Sequence, residues 1–274
     1  MDYKARANDG TMTWLFGSER PVVLGWDLSG IIEGIGSKVI DFKVGDEVFG
    51  MVNFPGKGNA YAEYVAVPFS HLTLKPESIS HQEAAAATLA ALTAWQTLVT
   101  NGKVKKGDKV LIHGASGGVG HFATQIAKYL GCYVIGTSSE KNKDFVLQNG
   151  TDQHIDYTKV AFENVVSEVD FVLDTIAGDT LEKSINITRN GGNIITIPSG
   201  NIPQEYLNKA KAKNVSLQFV LVESSGVDMK IISDLMEKGI IKSHISNQYN
   251  FDKMADAHLQ LATGRTVGKV VVNH

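Results

Sequence analysis

Cysteine is almost missing from this chain. Cys132 is the only one in 274 residues, which excludes an intrachain disulfide and fits a reducing compartment. No block of Lys and Arg occurs, and the formal net charge is −3, so there is no electrostatic footprint for nucleic acid. No unbroken apolar run is long enough to cross a bilayer. Residues 1–6 lack the apolar core of a signal peptide, so the cytoplasm is the expected location. Repeats and low-complexity segments are absent too. What is present is 43% hydrophobic and 20% charged, an ordinary globular composition. The length allows one large domain or two ordinary ones.

To about Pro76 the text is rich in Gly, Val and short β-prone runs, at 22–24, 30–34, 47–50 and 62–67. Gly-Asp, Pro-Gly and Gly-Lys-Gly punctuate them, and the expectation is a small antiparallel β unit. Near Ser80 the pattern changes. Ser80 followed by Glu83 reads as a capping box, and a long Ala-rich helix is expected to about Val99. From Lys109 strand and helix patterns alternate. Strands are expected at 110–113, 133–136, 154–156, 171–173, 194–197 and 217–220, with helices between them. Six such strands make a doubly wound parallel sheet, an α/β fold of the Rossmann kind. Two helices, around Ile231–Met236 and Phe251–Ala262, and a closing strand at 268–272 complete the chain.

One string carries chemistry: His113-Gly114-Ala115-Ser116-Gly117-Gly118-Val119-Gly120. It falls between an expected strand and an expected helix. Glycines there let backbone approach a pyrophosphate, and the helix N-terminus presents free N–H groups to it. A small residue at 120 lets the helix pack on the sheet. Gly114, Ser116, Gly117, Gly118, Val119 and Gly120 are therefore expected to bind a dinucleotide, although a glycine-rich turn without a ligand has the same spelling.

The end of the second strand discriminates the cofactor. NAD-binding folds place an acidic residue there for the ribose 2′-hydroxyl. Here the segment is Gly136-Thr137-Ser138-Ser139-Glu140-Lys141-Asn142-Lys143. Hydroxyls and a lysine suit a 2′-phosphate, so Ser138, Ser139 and Lys141 point to NADPH. Glu140 is the counterweight, free either to point outward or to take the ribose. Lys141 and Lys143 read equally well as solvated lysines at a helix start.

Several strings together resemble a known family. They are Asp2-Tyr3-Lys4-Ala5-Arg6, residues 21–30, residues 42–50, Ala60-Tyr61-Ala62-Glu63-Tyr64, Leu92-Thr93-Ala94-Trp95, the glycine turn and Gly268-Lys269-Val270-Val271. The chain resembles the zinc-free quinone oxidoreductase (zeta-crystallin-like) branch of the medium-chain dehydrogenase/reductase superfamily. The resemblance implies a GroES-like β domain at 1–80 and 230–274 around a Rossmann domain at 81–229, with the catalytic cleft between the two. Family members begin with further strands before the Asp-Tyr stretch, so the chain is expected to be N-terminally shortened, with an incomplete GroES-like domain and exposed sheet edges.

Zinc-dependent relatives use Cys, His and Cys as catalytic ligands, and zinc demands such donors. The positions matching the His and the second Cys are Trp26 and Leu89. The loop for the structural cysteines shrinks to 55–60. Cys132 reads as a packed small side chain, and His71, His81 and His113 as structural rather than metal ligands. No metal is expected. Without a Lewis acid, the favoured chemistry is hydride transfer to an acceptor that is already electron-poor, a quinone or an α,β-unsaturated carbonyl. A proton could come from water or a tyrosine.

The resemblance implies that Tyr3 contacts substrate, with Arg6 behind it, and that Thr93 approaches the nicotinamide. It also implies that Tyr157 sits by the adenosine 2′-phosphate and that the chain after Asp174 and at Ile197-Pro198 runs past the nicotinamide side. Asp27 reads as a hydrogen-bonded structural carboxylate. A small electrophilic substrate and a homodimer are the implied partners. The alternative to an NADPH-dependent reductase is an NADPH-binding protein without turnover.

Overall fold

The computed structural model describes residues 2–274. The chain divides into two units, one running to Leu92 and resuming at Val222, the other Thr93–Leu221. The first break falls later than the expected 80/81 and the second earlier than the expected 229/230.

The first unit opens with helices Asp2–Arg6 and Asp9–Phe16, where the composition suggested β structure. Asn8 explains the second helix: its side chain accepts from Thr11 N at 2.8 Å, an N-cap that satisfies an otherwise orphaned amide. Met12, Leu15 and Phe16 are its buried side. Three antiparallel strands follow: β1 (Asp27–Ile31), β2 (Glu47–Met51) and β3 (Leu72–Leu74), in the order β1-β2-β3. The apolar runs at 22–24 and 62–67 are not strands. Both carry apolar residues but make no ladder, which is where periodicity alone misleads.

The capping box forms as spelled. Ser80 N donates to Glu83 Oε2 at 2.8 Å, and Glu83 N donates to Ser80 Oγ at 3.2 Å. Helix His81–Trp95 follows, then widens into a π-helical stretch, Gln96–Asn101. The expected single helix to Val99 thus has two geometries.

The second unit holds β4 (Lys109–Ile112), β5 (Tyr133–Ser138), β6 (Gln153–Asp156), β7 (Val169–Asp174), β8 (Thr188–Thr196) and β9 (Ser216–Phe219). They form one sheet in the order β6-β5-β4-β7-β8-β9, every neighbouring pair parallel. The order reverses at β4, and ligands of such sheets bind beyond the carboxyl ends of the strands at that switch point. The strands read as continuous apolar runs because both faces are covered. Leu111, Ile135, Val172 and Ile194 pack with Leu181 and Ile185 of helix Asp179–Ile187 in one core. Between β6 and β7 there is only a short 3-10 turn, Phe162–Asn164, rather than the expected helix.

The chain returns to the first unit with helix Gly226–Glu237, strands β10 (Ile245–Asn250) and β11 (Lys269–Asn273), and helix Met254–Ala262 between them. The two strands pair in parallel. No helix among the described residues is long and apolar enough to cross a membrane.

Removing the capping box tests its contribution. Ser80→Ala is expected to lower unfolding stability by about 1 kcal/mol, read as a reduced urea midpoint at unchanged slope.

Candidate functional site

The glycine turn sits at the carboxyl end of β4. Beyond Ile112, His113 N still donates to Leu173 O on β7 at 3.0 Å. At Gly114 the backbone turns left-handed, φ +65°, a conformation that costs glycine nothing. Gly114 N donates to Thr137 Oγ1 at 3.2 Å and Ala115 N to Thr137 O at 2.9 Å. Gly117 N closes the turn on Gly114 O at 2.8 Å. Helix Gly120–Tyr129 then starts so close to the turn that a Cβ on Gly120 would lie 2.1 Å from Gly114 O and 2.8 Å from Ala115 Cα.

That helix has no side-chain cap; Val119 stands at its N-cap position. The first-turn amides of a helix have no partners within it, and they carry the positive end of its dipole. An anion at this end would satisfy them. Ser116 is half-buried and its Oγ accepts from Asn142 Nδ2 at 3.1 Å, which ties the turn to the segment after β5.

The end of β5 is built differently from its spelling. Ser138 is buried, and its hydroxyl meets His154 Nε2 at 2.9 Å. Burial lowers the pKa of that imidazole. Ser139 is half-buried and Lys141 is exposed in a single 3-10 turn, Glu140–Asn142. Glu140 is exposed and pairs with Lys159 at 3.1 Å and Lys143 at 3.9 Å. Lys159 was not singled out in the sequence, since only the pairing of β5 with β6 brings it here. Tyr157 is 63% exposed, and its amide donates to Ser138 O at 3.2 Å.

At the ends of β7 and β8, Asp174 is fully buried. It accepts from Ile176 N and Ala177 N at 3.0 Å and from Thr196 Oγ1 at 2.7 Å. The carboxylate holds a loop in which Ala177 and Gly178 are both left-handed, φ +69° and +65°. Ile197 is half-buried, and its N donates to Asp174 O at 3.1 Å. Thus the turn, the β5 end, Tyr157, Asp174 and Ile197 share the carboxyl edge of one sheet. Thr93 is buried near the end of helix His81–Trp95, its carbonyl accepting from Thr97 Oγ1 at 2.7 Å.

Other candidates belong to the first unit. Tyr3 is half-buried in helix Asp2–Arg6, and its carbonyl accepts from Ala7 N at 3.1 Å; Arg6 is exposed. Asp27 is a hydrogen-bonded carboxylate: its Oδ1 takes Leu89 N at 2.7 Å and the Thr88 hydroxyl, and Lys269 Nζ lies 3.5 Å from Oδ2.

The donor set does not fit a catalytic zinc. Trp26 is fully buried, donates from Nε1 to Gly56 O at 2.7 Å, and packs edge-on against Phe54. Leu89 has no ligating atom, and Asp27 is already bonded. Among the described residues no group of three His, Cys, Asp or Glu is placed to hold a metal ion. Cys132 is buried, and burial pushes its thiol up to about 11, an inert packed side chain.

These features define a dinucleotide-binding α/β unit joined to a small β unit. Comparison with known proteins agrees. Residues 2–77 match the family described as alcohol dehydrogenase GroES-like domain, and residues 149–272 the family described as zinc-binding dehydrogenase. A 2-methylene-furan-3-one reductase of Solanum lycopersicum is 33% identical over all of this chain and 68% of its own length. The solved quinone oxidoreductase of Coxiella burnetii is 33% identical, covers all of this chain and 86% of its own, and superposes with a TM-score of 0.92. A mycobacterial protein solved in complex with NADPH is 27% identical, with 93% and 84% covered and a TM-score of 0.81. The chain belongs to the quinone oxidoreductase branch of the medium-chain dehydrogenase/reductase superfamily, and it is an oxidoreductase.

Gly120→Ala tests the close approach of helix and turn. The added methyl must displace backbone, so we expect a stability loss of about 1–3 kcal/mol in denaturant unfolding. Dinucleotide affinity is expected to fall about tenfold or more, read by fluorescence titration.

Proposed function

We propose that the chain binds NADPH on the glycine turn and transfers a hydride to a quinone or an α,β-unsaturated carbonyl without zinc. The observation that carries this reading is the uncapped N-terminus of helix Gly120–Tyr129, placed by the left-handed Gly114 at the switch point of the parallel sheet. The turn fits a pyrophosphate: the glycines keep the backbone bare, and the helix turns the positive end of its dipole toward it with no side-chain cap in the way. Gly114, Ser116, Gly117, Gly118, Val119 and Gly120 would hold the phosphates. Thr93 and Ile197 would border the nicotinamide.

Charge at the β5 end supports the phosphorylated cofactor. Lys141, Lys143 and Lys159 lie in or against the turn after β5, and Glu140 is paired with the last two. With its carboxylate engaged, Glu140 is a poor acceptor for a ribose 2′-hydroxyl, whereas the lysines and Ser139 supply donors to a phosphate. Ser138 supports the strand end from inside, and Tyr157 offers an exposed ring beside it.

When bound, the cofactor supplies the hydride. The protein's share is to orient it and keep water away. Asp174 does the first by locking the loop after β7. Asp27 and Trp26 are both committed to structural hydrogen bonds, so neither offers a Lewis-acid site or a free proton. Tyr3 is retained as the candidate for substrate contact.

Two measurements test the reading. Purified protein with NADPH should show absorbance loss on addition of benzoquinone, phenanthrenequinone or an enone, at a rate unchanged by a metal chelator. Tight binding with no turnover on any of the three would sink it. Replacing Lys143 and Lys159 together by Ala should raise the NADPH Kd about tenfold and leave NADH nearly unchanged. Equal losses for both cofactors would overturn the NADPH assignment.

A further inference from the structure

The glycine turn is fastened from inside the sheet by three side chains. His113, next to Gly114, is 1% exposed. Its Nε2 lies 3.0 Å from Ser184 Oγ on helix Asp179–Ile187, and its Nδ1 lies 3.3 Å from Thr137 Oγ1 on β5. The ring packs edge-on against Phe162, centroids 4.6 Å apart. Burial holds its pKa down at about 4, so the ring is neutral at working pH and has one donor and one acceptor.

The hydroxyls decide which nitrogen is which. Ser184 Oγ donates its single proton to Thr180 O at 2.7 Å. Toward His113 it must therefore accept, and Nε2 carries the ring proton. Nδ1 is then the acceptor, and it takes the proton of the Thr137 hydroxyl. Thr137 Oγ1 in turn accepts from Gly114 N at 3.2 Å. The bonds run in one direction, from the Gly114 amide to the Thr180 carbonyl, and every member is used once.

This chain ends on the residue that controls the turn. Gly114 is left-handed, and its carbonyl receives Gly117 N and abuts Gly120. Thr175 Oγ1 braces the same corner by donating to His113 O at 2.8 Å. A slip in the hydrogen bonds would rotate the peptide on which the helix start rests. A fully satisfied buried network of this kind rigidifies what it holds.

We propose that His113, Thr137 and Ser184 form a one-way hydrogen-bond relay that positions the Gly114 amide, and with it the glycine turn, for the dinucleotide phosphates. The assignment rests on the reading of that turn as the cofactor site. The three are positioning residues; none touches cofactor or substrate.

The test compares Thr137→Val, which keeps the shape and removes the hydroxyl, with Thr137→Ser, which keeps the hydroxyl. A core variant of the same unit, Ile194→Val, serves as control, with all results compared at matched fractional stability. Two quantities are read: the amide exchange rate of Gly114 in the cofactor-free protein by NMR, and the NADPH Kd and KM. Thr137→Val should speed Gly114 exchange about tenfold beyond the control and raise the NADPH Kd and KM about tenfold, with kcat at saturating cofactor unchanged. Thr137→Ser should restore both. If Thr137→Val does not fold, Ser184→Ala should move the same two readouts in the same direction. Gly114 exchange no faster than in Ile194→Val, or affinity that follows stability alone, overturns the relay. Faster Gly114 exchange in a protein whose wild type binds neither NADPH nor NADH upholds the relay and overturns the cofactor reading.

Discussion

Backbone against backbone is the contact on which the dinucleotide unit depends. Gly120 approaches Gly114 so closely that no Cβ fits between them. Because of it, the helix begins at the end of β4 rather than one side-chain width away. Its apolar side, Phe122, Ala123, Ile126 and Ala127, is buried completely. Its amide end is left at the carboxyl edge of the sheet, where the strand order reverses. A helix displaced by a methyl would keep its hydrogen bonds but lose both the packing and the aim of its dipole.

Around that contact, carboxylates serve as fasteners. Asp174 holds two amides of the loop after β7. Asp170 accepts Lys109 N at 2.7 Å, Asp152 accepts Val134 N at 2.8 Å, and Asp27 accepts Leu89 N. Each fixes the start of a strand, the turn after one, or a helix. Buried backbone amides must find partners, and a carboxylate offers several acceptor positions. None of these acids is free to act as a general acid. That division of labour suits an oxidoreductase whose hard step is carried by a cofactor.

Much of the frame was legible in the text. The capping box at Ser80 and Glu83, the six strands of the parallel sheet and the glycine turn all follow from local patterns: a cap spacing, continuous apolar runs, and glycines after a strand. Local signals fail where the backbone has no repeating partner. Residues 22–24 and 62–67 look like strands yet join no ladder, and the helical start is announced only by the Asn8 cap. The candidate site divides similarly. Gly114 and Gly120 were readable because their job is steric and local. Ser138 is buried with its hydroxyl against His154 Nε2, a partner that only the pairing of β5 with β6 supplies.

The sequence by itself determined the class of fold and the glycine turn after β4, since each depends on residue type within a short window. The tertiary structure alone decided how charges and hydrogen bonds are shared across distant segments. It joined Lys159 to Glu140 across the loops after β6 and β5. It set His113 between Thr137 and Ser184 on two other elements. Those partners are chosen by which strands lie side by side, and strand order is a property of the whole sheet. The glycine turn was written in the chain; the network that holds it in shape was not.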